Sequence, residues 1–152
     1  VSGKFSEEQT SVHNAVREAQ QAVFDSLRLG VSWLEMHQLA ERVILKHLLR
    51  MGLLKGATVD ELMEVNMGSV FMPHGLGHFI GMDVHDVGGY IYGLEKKDNT
   101  PGVCWLRTQR KLDVGMVLTV EPGLYFSPQW LDAALKDEKK NQYVNKDLEI
   151  LI

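Results

Sequence analysis

The stretch FMPHGLGHFIGMDVHD, residues 71–86, places three of the chain's six histidines beside two aspartates and three glycines. Pro73 and the glycines disfavour a helix, so the spacing of four between His74 and His78 is not that of a helical metal pair. In an extended segment the two histidines still share one face, because side chains alternate with a period of two. The glycines between them leave those positions without side chains, so that a ligand can approach the backbone. We therefore predict a ligand-binding site along this stretch.

A second stretch, LDVGMVLTVEPGLYF at residues 112–126, predicts two β-strands joined at Pro122-Gly123. Glu121 ends the first strand, where the following proline keeps its backbone extended. Three histidines, including His85, near a strand-end carboxylate favour a functional site over histidines that only pack polar turns. A mixed set of imidazole and carboxylate groups suits a hard or borderline metal ion, although the spacing alone does not name the chemistry.

The remaining segments predict helices, because capping residues are followed by apolar residues at spacings of three and four. The predicted helices run from Ser6 to near Gly30, from Ser32 to Gly52, from Val59 to about Met67, and onward from Ser127-Pro128. Three further histidines, His13, His37 and His47, fall on the first two helices and are not clustered. We predict surface or half-buried positions for them.

Bulk composition excludes several classes of protein. The chain has 152 residues, enough for one domain with a core, and its 45% apolar and 24% charged residues are typical of soluble domains. A net charge of −4 with scattered basic residues argues against nucleic acid as the main partner. No apolar run approaches the ~20 residues of a membrane helix. The single cysteine, Cys104, predicts a reducing, cytoplasmic compartment and no catalytic role for its thiol.

Together, the two stretches resemble the metal-dependent peptidases with the pita-bread fold, a family that includes methionine aminopeptidase, aminopeptidase P, prolidase and creatinase. The longer segments FMPHGLGHFIGMDVHDVGGY and LRTQRKLDVGMVLTVEPGLYF are most similar to its prolidase branch, the dipeptidases that cleave Xaa-Pro. The resemblance covers nearly the whole chain. It implies an α+β fold in which helices pack on a curved antiparallel sheet, with His78 and Glu121 together on the opposite, concave face.

The resemblance also implies a role for each candidate residue. His78 matches the single histidine ligand of a dinuclear metal centre, and Glu121 matches the first of its two glutamate ligands. His85 matches the histidine that contacts substrate and assists proton transfer, and His74 matches the first histidine of the HGxGH segment, which lines the active site. Arg107 aligns with an arginine that binds the dipeptide's carboxylate, with a plain surface arginine as the alternative.

The cofactors implied are two divalent cations, manganese with cobalt or zinc as alternatives, bridged by the water that attacks the Xaa-Pro bond. The partner implied is an Xaa-Pro dipeptide, and the assembly is a homodimer. The family's two aspartate ligands and its last glutamate have no counterpart in residues 1–152. We therefore expect residues 1–152 to form part of the catalytic domain of a longer protein and to be inactive alone.

Three other functions compete with this one. An aminopeptidase P-like enzyme would share the metal centre but accept longer peptides; the prolidase-like segment after Phe126 and the context of Arg107 argue against it. A non-catalytic binding module of the same fold would have lost metal ligands, whereas His78, His85 and Glu121 are all present. A structural domain with accidental histidines is the third alternative.

Overall fold

The computed structural model describes residues 3–90 and 98–146, and these ranges are rich in helix. The elements are α1 (Glu7–Ser26), α2 (Trp33–Arg50), α3 (Val59–Glu64), α4 (Gly68–Phe71), a 3₁₀ helix (Val103–Trp105) and α5 (Pro128–Lys136). The helices predicted from the sequence are confirmed, although the third ends at Glu64, short of Met67, and α4 was not predicted. Asn66 adopts a left-handed φ of 52° between them, which a continuous helix does not allow. None of the helices in the described ranges has the length and apolar character needed to cross a membrane.

Local side-chain hydrogen bonds determine where α1 and α3 begin. The Ser6 hydroxyl accepts from the Gln9 N–H at 3.2 Å, while the Gln9 side chain accepts from the Ser6 N–H at 3.0 Å. Thr58 and Glu61 form the same reciprocal pair at the start of α3. The bonds from the Thr58 backbone and hydroxyl hold the pKa of Glu61 below its usual value. Each of these reciprocal pairs, called a capping box, satisfies two backbone N–H groups that the start of a helix leaves unpaired.

The hydrophobic core is built around α2. This helix packs against α1 on one side and against α3 and α4 on another. Its buried apolar residues are Trp33, Met36, Ala40, Ile44, Leu45 and Leu48, and α1 adds Ala15, Ala19 and Val23. Because several neighbours cover α2, its buried face is wider than one amphipathic stripe.

The prediction of surface or half-buried positions is wrong for two of the helical histidines, because the buried face of α2 is wide. His37 is fully buried beside Glu41, and His47 is also buried. His47 Nε2 lies 2.9 Å from a carboxylate oxygen of Glu18 on α1, so the pair links the two helices. His13 is exposed, as predicted.

The segments 76–80 and 117–121 run antiparallel beside each other, outside any helix. Three backbone hydrogen bonds join them: Ile80 N–H to Val117 O at 3.2 Å, Thr119 N–H to His78 O at 2.9 Å, and Glu121 N–H to Leu76 O at 2.8 Å. Met116, Leu118 and Val120 pack against the core. Since side chains alternate along an extended chain, Thr119 and Glu121 face away from it.

The two strands predicted to join at Pro122-Gly123 are not seen as regular strands, and the described residues contain no regular sheet. Strand-like pairing within them is limited to isolated bridges, such as Phe79–Leu118. The backbone groups that a ladder needs have other partners: the His78 N–H donates to the Thr119 hydroxyl, and the Tyr125 N–H donates to Phe71 O at the end of α4. Beyond Pro122 the chain is therefore bonded to the end of α4 and does not turn back to form a hairpin with residues 116–121.

Candidate active site

A cleft of about 480 Å³ opens on the side of residues 117–121 that faces away from the core. The structure brings together in its walls all the candidate residues from the sequence: His74, His78, His85, Arg107 and Glu121. They come from three separate parts of the chain. The 76–80 and 117–121 pairing places the histidine segment beside Glu121, and the residues after the 3₁₀ helix bring Arg107 to the same opening.

His78 and Glu121 are in direct contact within the cleft. His78 Nε2 lies 2.9 Å from Glu121 Oε1, and the other ring nitrogen, Nδ1, lies 2.9 Å from Phe79 O. The imidazole is 8% exposed and the carboxylate 53% exposed, so the pair has one solvent-accessible side. A neutral ring that donates from Nδ1 to Phe79 O presents the lone pair of Nε2 to Glu121, which is the form in which histidine binds metal.

This donor set fits a divalent cation. Both ring nitrogens of His78 face oxygen acceptors, so only a proton or a cation at Nε2 makes the approach of Glu121 favourable. Imidazole with carboxylate is a common ligand pair for zinc, manganese and similar ions. Within residues 3–90 and 98–146, no group of three or more His, Cys, Asp or Glu side chains is arranged to hold a metal. The described part of the chain therefore brings together two candidate metal ligands, His78 and Glu121.

Thr119 links the two members of this pair. Its hydroxyl accepts from the His78 N–H at 3.1 Å and donates to Glu121 Oε1 at 2.6 Å. The close approach requires glycine at 77, because a Cβ there would overlap the carbonyl oxygen of Thr119. The backbone of the histidine segment and the carboxylate are thus held by the same side chain.

His74 and His85 line the same cleft as this pair. The ring of His85 meets that of His78 edge-on, with centroids 4.3 Å apart, and is exposed to solvent. His74 Nδ1 lies 2.8 Å from Gly75 O, and its ring contacts Tyr125 edge-on at 5.3 Å. The other nitrogen of His74 is buried without a hydrogen-bond partner among the described residues. Such an orphaned polar atom in a cleft wall is a candidate for contact with a ligand.

Another wall is formed by the end of the 3₁₀ helix and the residues that follow it. Arg107 and Trp105 are exposed there and line the cleft. Backbone packing fixes this wall, since a Cβ at Gly88 would overlap Arg107 O. Upstream, hydrogen bonds from Thr100 hold the pKa of Asp98 below its usual value, at the turn that leads into the 3₁₀ helix. The guanidinium of Arg107 places a positive charge on this wall, where an anionic group of a ligand can pair with it.

Three residues of the site were not identified from the sequence: Thr119, which bonds to His78 and Glu121, and Trp105 and Tyr125, which line the cleft. A signal existed for Thr119, because it stands two positions before Glu121 and side chains of an extended chain repeat every two residues. Trp105, at the end of the 3₁₀ helix, and Tyr125 had no such signal. Tyr125 reaches the cleft because its backbone is bonded to Phe71 O and not to the neighbouring strand.

Comparison with known proteins shows what the chain is similar to. The profile of metallopeptidase family M24 matches residues 1–143. The Xaa-Pro dipeptidase of Mus musculus is 50% identical over 146 residues, which is 96% of this chain and 29% of the relative. The structure of Pseudomonas aeruginosa aminopeptidase PepP matches with a TM-score of 0.68 and 39% identity, covering 93% of this chain and 28% of that one. Zinc-substituted Escherichia coli aminopeptidase P in complex with product matches with a TM-score of 0.67 and 40% identity, covering 83% and 25%.

The role of the Thr119 hydroxyl can be tested by two substitutions. Thr119→Val keeps the shape of the side chain but leaves the His78 N–H without its acceptor, and we expect the free energy of unfolding to fall by about 1–3 kcal/mol. Thr119→Ser keeps the hydroxyl and should cost clearly less. Urea unfolding of the purified chain measures both. Equal losses would show that the methyl group of Thr119 matters and its hydroxyl does not.

Proposed function

The chain belongs to metallopeptidase family M24, and from that membership we propose that it forms the central part of a metal-dependent peptidase that hydrolyses Xaa-Pro dipeptides. The observation that carries the proposal is the contact between His78 and Glu121 at 2.9 Å in an open cleft. The 50% identity to an Xaa-Pro dipeptidase supports the substrate class.

The chain spans less than a third of the length of the relatives it matches, 29% in the first of them. We propose that it acts within a longer polypeptide, whose other segments supply the remaining metal ligands. The presence of only two candidate ligands in the described cleft supports this. We also propose that in the longer protein the pairing of 76–80 with 117–121 extends into the curved antiparallel sheet of the pita-bread fold, and that the protein is a homodimer.

In this proposal His78 and Glu121 hold divalent metal, with manganese as the native ion and cobalt or zinc as alternatives. The cations supply a water that is nucleophilic near neutral pH and polarise the scissile carbonyl. The chain's own residues prepare that site. Phe79 O fixes the tautomer of His78, and the Thr119 hydroxyl orients the carboxylate of Glu121. These bonds restrict the orientation of both side chains before a metal binds.

The other cleft residues bind and orient the substrate. His85 is exposed beside His78, so its N–H can donate to the substrate oxygen where negative charge develops. The partnerless nitrogen of His74 is available for a second polar contact. The guanidinium of Arg107 on the cleft wall can bind the free carboxylate of a dipeptide in a charge-assisted contact.

A related candidate function is that of an Xaa-Pro aminopeptidase, which the structural similarity to aminopeptidase P favours. The two enzymes differ in the length of the peptide they accept. A positively charged side chain that binds the C-terminal carboxylate favours dipeptides, because a longer peptide places that carboxylate elsewhere. Arg107 on the cleft wall therefore favours the dipeptidase.

The proposal is tested by metal-supplemented hydrolysis. The full-length polypeptide that contains this chain should hydrolyse glycyl-proline and should act much more slowly on a tripeptide with proline in second position. Residues 1–152 alone should show no turnover and bind no stoichiometric pair of cations, since two ligands leave most of each coordination sphere to water. Preference for the tripeptide would support the aminopeptidase. Full turnover by residues 1–152 would show that all ligands lie within them.

Glu121→Gln keeps the shape of the side chain and removes the charge that a cation needs. In the full-length protein we expect a fall in turnover of more than about 100-fold, because even outer-shell partners of a metal cost about 10- to 100-fold. Circular dichroism should be unchanged. The control is Glu64→Gln at the end of α3, outside the cleft, which should behave as wild type. Normal turnover in Glu121→Gln would show that Glu121 is a surface carboxylate with no role in the reaction.

Substitutions of His78 and His85 should distinguish a role in metal binding from a role in substrate binding. His78→Ala should lose both bound metal and turnover. His85→Ala should lower turnover by about 100- to 1,000-fold, as expected for loss of a transition-state donor, with metal content near that of wild type. Atomic absorption and glycyl-proline kinetics measure the two effects, and His13→Ala on α1 serves as the control. Equal metal loss in both variants would contradict this division of roles.

A further inference from the structure

A buried hydrogen bond connects the first residue of α2 to the histidine segment. The indole Nε1–H of Trp33 donates to Gly77 O at 3.2 Å across 44 residues of sequence. Trp33 is 0% exposed and belongs to the hydrophobic core. Its side chain does not line the cleft, so the indole reaches the site through this bond to the backbone.

The bond acts on a particular peptide group. Gly77 O and the His78 N–H belong to the same planar unit. Trp33 holds the oxygen of this unit, and the Thr119 hydroxyl holds its N–H at 3.1 Å. The plane is therefore fixed at both ends. Because the plane leads directly into the Cα of His78, its orientation determines where the imidazole points.

Glycine makes this restraint necessary. Gly77 must be glycine, since a Cβ there would overlap Thr119 O. Glycine also has the widest choice of backbone dihedrals, so the peptide that follows it can rotate at low cost unless it is held. The close packing against Thr119 thus requires a residue without a Cβ at position 77. The same lack of a Cβ removes the steric restriction that would otherwise limit rotation of the Gly77–His78 peptide.

The backbone around Trp33, from which the indole extends, is itself held by hydrogen bonds. The backbone N–H of Trp33 donates to Arg110 O at 3.0 Å, and two further bonds join the preceding residues to the same segment: Gly30 N–H to Leu112 O at 2.7 Å and Leu112 N–H to Val31 O at 2.8 Å. These bonds fix the start of α2 against residues 110–112. The indole therefore extends from a stretch of backbone that three hydrogen bonds hold in place.

We propose that Trp33 is a positioning residue for metal binding, which sets the direction of His78 by holding the Gly77–His78 peptide through its indole N–H. The inference rests on the proposed function, in which His78 is a metal ligand. The alternative is that Trp33 only fills the core. The two differ in one respect: a filling role depends on the ring, whereas a positioning role depends on the N–H.

The test replaces Trp33 in the full-length protein with 3-benzothienylalanine, which keeps the bicyclic ring and substitutes sulfur for the N–H. Trp33→Phe is the genetic counterpart. The control is Ile44→Val, which trims a buried residue of the same helix. Three quantities are compared: Mn²⁺ affinity by calorimetry, the visible absorption spectrum of the Co²⁺ form, and the melting temperature without metal.

We expect the benzothienyl variant to bind Mn²⁺ about 10- to 100-fold more weakly than wild type, the range for loss of a group that orients a metal ligand, and to alter the Co²⁺ spectrum. Ile44→Val should lower the melting temperature but leave affinity and spectrum as in wild type. Wild-type affinity and spectrum in the benzothienyl variant would overturn the inference while the proposed function stands, even if Trp33→Phe fails to fold. Absence of metal binding by the wild-type protein would overturn both.

Discussion

The antiparallel contact between residues 76–80 and 117–121 is the constraint on which the cleft depends. Three backbone hydrogen bonds set its register, and that register places His78 beside Thr119 and Glu121. A shift by one residue would turn Glu121 toward the core and an apolar side chain toward the cleft. The same alternation that packs Leu118 and Val120 against the core therefore exposes the carboxylate, and packing and chemistry are set by one register.

The contact is tight because it lacks side chains at the point of closest approach. Gly77 lies against the carbonyl of Thr119, and Gly88 lies against that of Arg107. In both places backbone lies against backbone, with no room for a Cβ. The cost is that the histidine segment loses the restraint that side chains give. Hydrogen bonds from Thr119 and Trp33 provide that restraint instead.

Burial and exposure divide the cleft into a fixed and an accessible part. His78 is held below the surface by the core and by Phe79 O, whereas Glu121, His85 and Arg107 are open to solvent. In the proposed function, the metal ligand His78 lies on the fixed side, whereas the second ligand, Glu121, and the substrate-binding groups His85 and Arg107 lie on the open side. Groups that are oriented in advance reorganise less during a reaction, and such preorganisation is the main source of electrostatic catalysis.

The sequence by itself determined α1, α2, α3 and α5, through capping residues and apolar periodicity. It identified His74, His78, His85 and Glu121 as site residues, because histidines and glycines at that density near a carboxylate are rarely structural, whereas Arg107 came from the family resemblance. It did not determine the burial of His37 and His47 or the partner of residues 116–121. Those depend on what covers α2 and on which backbone groups are free, and both are set by contacts between segments far apart in the chain. Only the tertiary structure placed Thr119 between His78 and Glu121, and only it brought the indole of Trp33 to Gly77 across 44 residues, because no local pattern encodes a hydrogen bond between residues that distant.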